Sequence, residues 1–455
     1  MKFKKIAVIA LSSLLALGGC LGFVGCADQS GKEKITFMGW TNSTEKKAYK
    51  KAIAQFEELY NCKVDYNTVA VGEYRSKLNS TLSADALNGE CSADVFYVPY
   101  GMLWNKAVSG HIENLQPYID ADTELDLNEF WDEPGFYQYK LDGNQVGVGD
   151  IYAFPKDVGP MALVYNKDLF AEYGLTAPSL DHPWNWDDLF VEGKKVDNRI
   201  GNPGAKRNAW LLSGYNLEQA VWGNDASFLS EDRKTVTVDS PKFIESLEFI
   251  RRLTVEGIKP NSTEIASLDG YTRWMNGQIG IFVAGPWDLA VYNEDLDFEW
   301  DYFPLIAGPN GTQATSTGYM GLAMSSRSEH KDLAYDFIKF LTTNEECQRT
   351  LYQAGQIVPN IKSKAKGEFI DYYKDERPNV GEWINILERT GHPFEYYMTP
   401  SDAWFTPFNN SVGNVFNGDV SAAEFCMNIK AQMQEQLDIS YREMEQLKEN
   451  MGWGK

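Results

Sequence analysis

The chain has 455 residues, 43% apolar and 23% charged, with 64 acidic against 42 basic side chains and a formal charge of −22. That length exceeds one compact core and implies two lobes or more, and the composition excludes a largely disordered chain. So acidic a surface repels phosphate backbones, which argues against a nucleic-acid partner.

Residues 1–26 hold a basic start, MKFKK, an apolar core, IAVIALSSLLAL, and two cysteines that follow small residues, Cys20 in LGGC and Cys26 in FVGC. This reads as the signal peptide and lipobox of a bacterial lipoprotein. Cys26 is favoured over Cys20 for lipidation, because only beyond it does the chain turn polar, leaving 27–33 as a leash. A multi-chain lipid anchor would hold the folded part at the extracellular face of the cell membrane. Removing the signal takes away Lys2, Lys4 and Lys5 and moves the charge to −25, with 39 basic against 64 acidic residues.

From 34 to 100 strand and helix alternate: KITFMGW, a helix around YKKAIAQFEELY, KVDYNTV, a helix through YRSKLNSTLSADAL, and ADVFYVPY. Short apolar strands between amphipathic helices predict an α/β lobe built on a parallel sheet, whose ligands bind beyond the strand ends. IYAFPKDVGPMALVYN, 151–166, is a strand broken by Pro155 and Pro160, as a crossing between lobes would be. Helices follow at WNWDDLFVEGKK, before Trp222, and from Ser240–Pro241 with Phe243, Ile244, Leu247 and Ile250 on one face. The sheet pattern returns at IGIFVAG, WDYFPLI and GYMGLAMS. A helix then carries Leu333, Phe337 and Leu341 on one face, and Ser421 and Glu424 form a capping box before Phe425, Ile429, Met433 and Leu437.

No catalytic motif accompanies this pattern. The four histidines, His111, His182, His330 and His392, are isolated, and HExxH, CxxC, GxSxG and a Walker lysine loop are all missing. DADTELDLNE, 120–129, lacks the sixth-position glycine of a calcium loop and reads as a solvated acidic loop. No metal or cofactor is expected. Cys62 and Cys91, each just before a strand, could pair or stay as free thiols.

The distinctive signal is aromatic: 13 Trp, 24 Tyr and 24 Phe. Trp40, Tyr100, Trp222, Trp287, Tyr319 and Trp404 fall at strand ends or beside Gly, Asn and Asp, outside amphipathic stripes. Trp287 directly follows Gly285 and Pro286, which end the IGIFVA strand. Such a set suits a pyranose, whose flat C–H faces stack on rings while its hydroxyls need polar groups around the rim. Trp186, at a helix start, is expected in the core instead.

Several segments together, IYAFPKDVGPMALVYNKDLF with PWNWDDL, VTVDSPKFIESLEFIRRL, GPWDLAVYN, TGYMGLAMSSRSEHKDLAYDFIKFLT and GQIVPNIKS, resemble the family 1 extracellular solute-binding proteins of ATP-binding-cassette importers, the maltose-binding-protein-like group. The resemblance implies two α/β lobes joined by hinge crossings near 158–161, 317–320 and 372–380, closing on ligand between them. Lobe 1 would comprise 34–158 and 320–375, and lobe 2 would comprise 159–319 and 376–455. It implies ligand contacts at Trp287, Tyr319 and Trp404 and, by position only, at Trp40, Tyr100, Asp157 and Trp222. The implied protein is a monomeric, lipid-anchored Gram-positive receptor that delivers an oligosaccharide to a membrane permease and makes or breaks no bond. A secreted glycoside hydrolase using the same aromatics and a carboxylate pair is the rival reading.

Overall fold

A computed structural model describes residues 31–40, 43–131, 135–196, 208–318 and 320–453. The signal segment with Cys20 and Cys26, and the ligand candidate Tyr319, lie outside these described residues.

In chain order the first strands and helices are β1 (Lys34–Trp40), α1 (Ser43–Tyr60), β2 (Lys63–Val69), α2 (Val71–Asn88), β3 (Val95–Pro99) and α3 (Leu103–Val108). A short hairpin, β4 (Lys140–Leu141) and β5 (Asp150–Ile151), precedes β6 (Phe154–Pro155) and β7 (Ala162–Asn166). The remaining strands are β8 (Trp210–Leu212), β9 (Ile279–Ala284), β10 (Trp300–Phe303), β11 (Thr315–Ser316), β12 (Met320–Met324) and β13 (Gly391–His392).

Two larger sheets result, one for each lobe, beside the two-stranded pairs β4-β5 and β11-β13. The first has the order β2-β1-β3-β12-β6 and the second β10-β7-β9-β8. β1, β2 and β3 are parallel, as their alternation with α1 and α2 dictates. The expected all-parallel sheet is nonetheless mixed, because β12 lies antiparallel to β3 and to β6. The cause is the chain's path: β12 returns from the second lobe and enters the first sheet from the opposite side. Fully buried Ile35, Phe37, Val95, Phe96 and Leu322 form the centre of the first sheet, and Leu163, Val164, Ile279 and Ile281 that of the second.

Three chain segments pass between the lobes. Residues 156–161 and 316–318 run side by side, with Gly318 N–H donating to Val158 O at 2.8 Å and Met161 N–H to Ser316 O at 3.0 Å. Thr317 N–H donates to His392 O at 3.0 Å, which adds β13 to the pair. The third crossing lies between Tyr373, whose hydroxyl donates to Tyr352 O, and Asn379, whose amide donates to Tyr302 O of β10.

Cys62, Cys91, Cys347 and Cys426 are all free. Cys62 immediately precedes β2 and Cys91 precedes β3, and β1 pairs with both strands between them. Two strand spacings, about 9.6 Å, exceed the Cα separation a disulfide spans. The 30-residue helix Ala422–Met451 starts at the expected Ser421 cap, which accepts from Glu424 N–H at 3.2 Å, and buries Phe425, Met433 and Leu437. Its last turns reach past the second lobe to α3 and the β4–β5 hairpin of the first.

Candidate functional site between the lobes

Strand register decides where the aromatic strand ends point. Pro99, the last residue of β3, pairs with Met320, the first of β12, so Tyr100 adjoins the crossing that feeds β12. Ala284, the last residue of β9, pairs with Ala162, the first of β7, so Gly285 to Trp287 adjoin the crossing that feeds β7. Trp40 closes β1 on the same edge of the first sheet as Tyr100. The strand ends that carry Trp40, Tyr100 and Trp287 therefore lie on the side of each sheet where the crossings run.

Trp287 sits on a single 3-10 turn, Pro286–Asp288, whose proline occupies the first helical position, where no N–H is needed. Asp288 Oδ2 accepts from Gly285 N–H at 2.9 Å and locks that turn. Burial pushes the Asp288 carboxyl up to about 6, against the hydrogen bond from Gly285. The indole folds back over Gly285 so closely that it occupies the place of a side chain there. It remains half-buried.

Trp40 is half-buried and meets Tyr74 edge-on at 5.4 Å and Tyr97 at 6.3 Å. Tyr100 has its ring 3.9 Å from Tyr397 and 6.2 Å from Phe394, both on the segment after β13. Arg75 of α2 lies 5.3 Å above the Tyr100 ring, donates to Tyr100 O at 2.5 Å and stands 3.7 Å from Asp402. These contacts join the two lobes at the edge of the space between them.

Three other candidates take different places. Trp222, on the helix Leu217–Gly223, is buried, stacks on His392 at 5.4 Å and packs on Phe394 at 5.7 Å. Its indole N–H donates to Glu395 Oε1 at 2.8 Å. Asp157, expected at a ligand's rim, is 3% exposed and pairs with Lys156 Nζ at 3.0 Å. Lys156 also pairs with Glu45 of α1 at 3.0 Å and lies over the Tyr49 and Tyr97 rings. Burial alone would lower the Lys156 pKa, but the two carboxylates hold it well above its ordinary value. Trp404 is 0% exposed, and its N–H is satisfied by Thr399 Oγ1 at 3.0 Å. It is sealed between the C-terminal helix and the neighbouring aromatics, with Phe405 at 5.8 Å, so in this arrangement it offers no surface to a ligand. Trp186 is core, stacked on Phe249 at 4.0 Å and 4°.

Sequence reasoning passed over the run His392 to Tyr397, which supplies Phe394, Glu395 and Tyr397. Three aromatics within FEYY were the available signal. It also passed over Arg75 and Lys156, single cations without a motif. Among the described residues no group of three His, Cys, Asp or Glu is placed to hold a metal ion. In the acidic loop, Asp122 pairs with Lys339 at 2.6 Å and Asp126 caps its own turn, so those carboxylates do not converge.

Comparison with known proteins adds three findings. The model of the bacterial extracellular solute-binding protein family matches residues 40–346, more than half of the chain. The diacetylchitobiose binding protein DasA of Streptomyces coelicolor is 23% identical over 426 residues, 88% of this chain and 94% of that protein. A protein of Brucella abortus named as a binding protein is 24% identical over 233 residues, and the chain spans only about half of its length, 54%. Among solved structures, the ABC substrate-binding protein Lmo0181 of Listeria monocytogenes, in complex with cycloalternan, superimposes with a TM-score of 0.73. That likeness covers 90% of this chain and 99% of the other at 23% identity, which establishes the two-lobe fold.

Proposed function

Since this chain belongs to the bacterial extracellular solute-binding protein family, we propose that it is a lipid-anchored receptor that captures an oligosaccharide between its lobes and delivers it to an ATP-binding-cassette permease. The observation that supports this reading is the register of the two sheets, which brings the strand ends carrying Trp40, Tyr100 and Trp287 to the side where the crossings run. Half-exposed rings from both lobes suit the two apolar faces of a pyranose. Tyr319, which precedes Met320 in the sequence, is proposed as a further ligand contact on the resemblance alone. Trp222, Asp157 and Trp404 then act beneath the surface, holding the platforms in place. The relatives named for diacetylchitobiose and cycloalternan support a saccharide as the ligand class. Lipidation at Cys26 rests on the lipobox pattern, and the receptor acts as a monomer without a cofactor.

Binding from both lobes rewards closure, since a ligand shifts the open–closed equilibrium by its differential affinity for the two states. Calorimetric titration of the mature chain with a panel of neutral oligosaccharides, followed by small-angle scattering at saturation, tests this. Stoichiometric binding of at least one of them with a changed radius of gyration is expected. Conversion of labelled oligosaccharides into shorter products would support the rival hydrolase, and absence of binding across the panel would overturn the ligand class.

A further inference from the structure

The C-terminal helix Ala422–Met451 is about 45 Å long and does not stay with one lobe. Its contacts change sides in order along its length. Lys430 pairs with Asp239 at 2.8 Å, and Gln434 grips the 229–236 hairpin, accepting from Val236 N–H and donating to Lys234 O. Both contacts are within the second lobe. Two turns on, the Tyr441 hydroxyl donates to Arg233 O at 3.1 Å while its ring meets Trp104 of α3, in the first lobe, at 6.1 Å. Lys448 then donates to Asn144 Oδ1 at 2.8 Å, on the tip between β4 and β5.

Two features mark this as a built junction. Gly143 has φ +88°, and Trp453 lies where its side chain would stand, so only glycine fits beneath that indole. Arg233, at the tip of the second-lobe hairpin, takes a left-handed backbone, φ 56°, uncommon for a residue other than glycine, in a turn closed by its N–H to Ser230 O at 2.7 Å. That conformation places its guanidinium across the gap, where Nη2 donates to Val146 O at 2.6 Å. Tyr441 fixes the Arg233 carbonyl in the same arrangement.

We propose that the C-terminal helix and Arg233 form a brace that fixes the angle between the lobes in the absence of any ligand. A helix is stiff, so rotation about the three crossings cannot preserve contacts at both ends, and any change of lobe angle must detach Tyr441 to Trp453 from the first lobe. The brace therefore adds a ligand-independent term to the open–closed equilibrium.

The test uses the mature chain without sugar. One variant ends after Gln446 and another combines Tyr441→Phe with Trp453→Ala. Lys430→Ala, whose lost contact lies within one lobe, is the control. Small-angle scattering and amide hydrogen exchange are read on all of them. A changed radius of gyration and an increase of about tenfold or more in exchange at residues 143–147 are expected in the first two variants and not in the control. Should the shortened chain fail to fold, the double variant decides. Wild-type scattering and exchange in the double variant, or the same changes in Lys430→Ala, would overturn the brace. Because no sugar is added, failure here leaves the oligosaccharide reading untouched.

Discussion

Glu395 accepts the indole N–H of Trp222 at 2.8 Å. Its other oxygen accepts from the Ser227 hydroxyl and from Leu229 N–H, so one carboxylate holds a tryptophan and the start of the 229–236 hairpin together. Glu395→Ala should cost about 1–3 kcal/mol, because buried donors lose their acceptor. Glu395→Gln should recover part of that cost. Urea unfolding of the two variants measures the difference, and equal stability of wild type and Ala would contradict the arrangement.

The tryptophans should separate by role. Trp404→Ala and Trp186→Ala each remove a buried indole and should destabilise by about 3–5 kcal/mol. Trp287→Ala should cost less stability, since its ring is half-exposed, yet weaken binding of the cognate oligosaccharide about thirtyfold, roughly 2 kcal/mol. Thermal melts paired with calorimetry on the three variants decide. Normal affinity with an early melt for Trp287→Ala would make that residue a core tryptophan.

Glu382 gives a pH-dependent prediction. It is fully buried, its oxygens accept from Leu305 N–H at 3.2 Å and Asn385 at 3.1 Å, and burial pushes its pKa up to about 7. A folded pKa above the unfolded 4.5 means that the folded state binds the proton more tightly. The group's contribution is complete below pH 4.5 and is lost as pH rises through 7. Relative to Glu382→Gln, wild type should lose up to about 3 kcal/mol between those pH values. Parallel stability curves for the two proteins would refute the shift.

Lys156 pairs with both Glu45 and Asp157, each at 3.0 Å. Lys156→Met should cost about 3–5 kcal/mol, because it removes the cation that two buried carboxylates share. Adding Glu45→Gln and Asp157→Asn should restore much of the loss. A single variant as stable as wild type would show that the carboxylates reach water.

What the sequence revealed follows periodicity. KITFMGW, KVDYNTV, ALVYN and IGIFVA are strands because β-branched and aromatic residues alternate or run together between turn residues, and the Ser421 cap marks a helix start as plainly. The mixed direction of the first sheet was not legible, since pairing direction depends on where a chain re-enters after a long excursion. Trp404 misled for a related reason. Its neighbours Ser401, Asp402 and Thr406 suggest a surface loop, but Tyr396, Phe405 and Phe408 stack on one another and close over it. Aromatic residues close in sequence can serve as one another's solvent shield, and spacing alone does not distinguish that from a binding platform.

The pairing of Ala162 with Ala284 has an evolutionary consequence. The crossing 156–161 runs without a break into β7, so a change of length there that slipped the pairing of β7 by one residue would turn every side chain of that strand to the other face of the sheet. Length variation at the hinge is thereby closed to natural drift. The turn at 285–288 and the segment 393–402 continue into no strand, so a change of length there slips no strand register. New ligand preferences in descendants of this chain should accumulate in those two segments while the crossings keep their residue count.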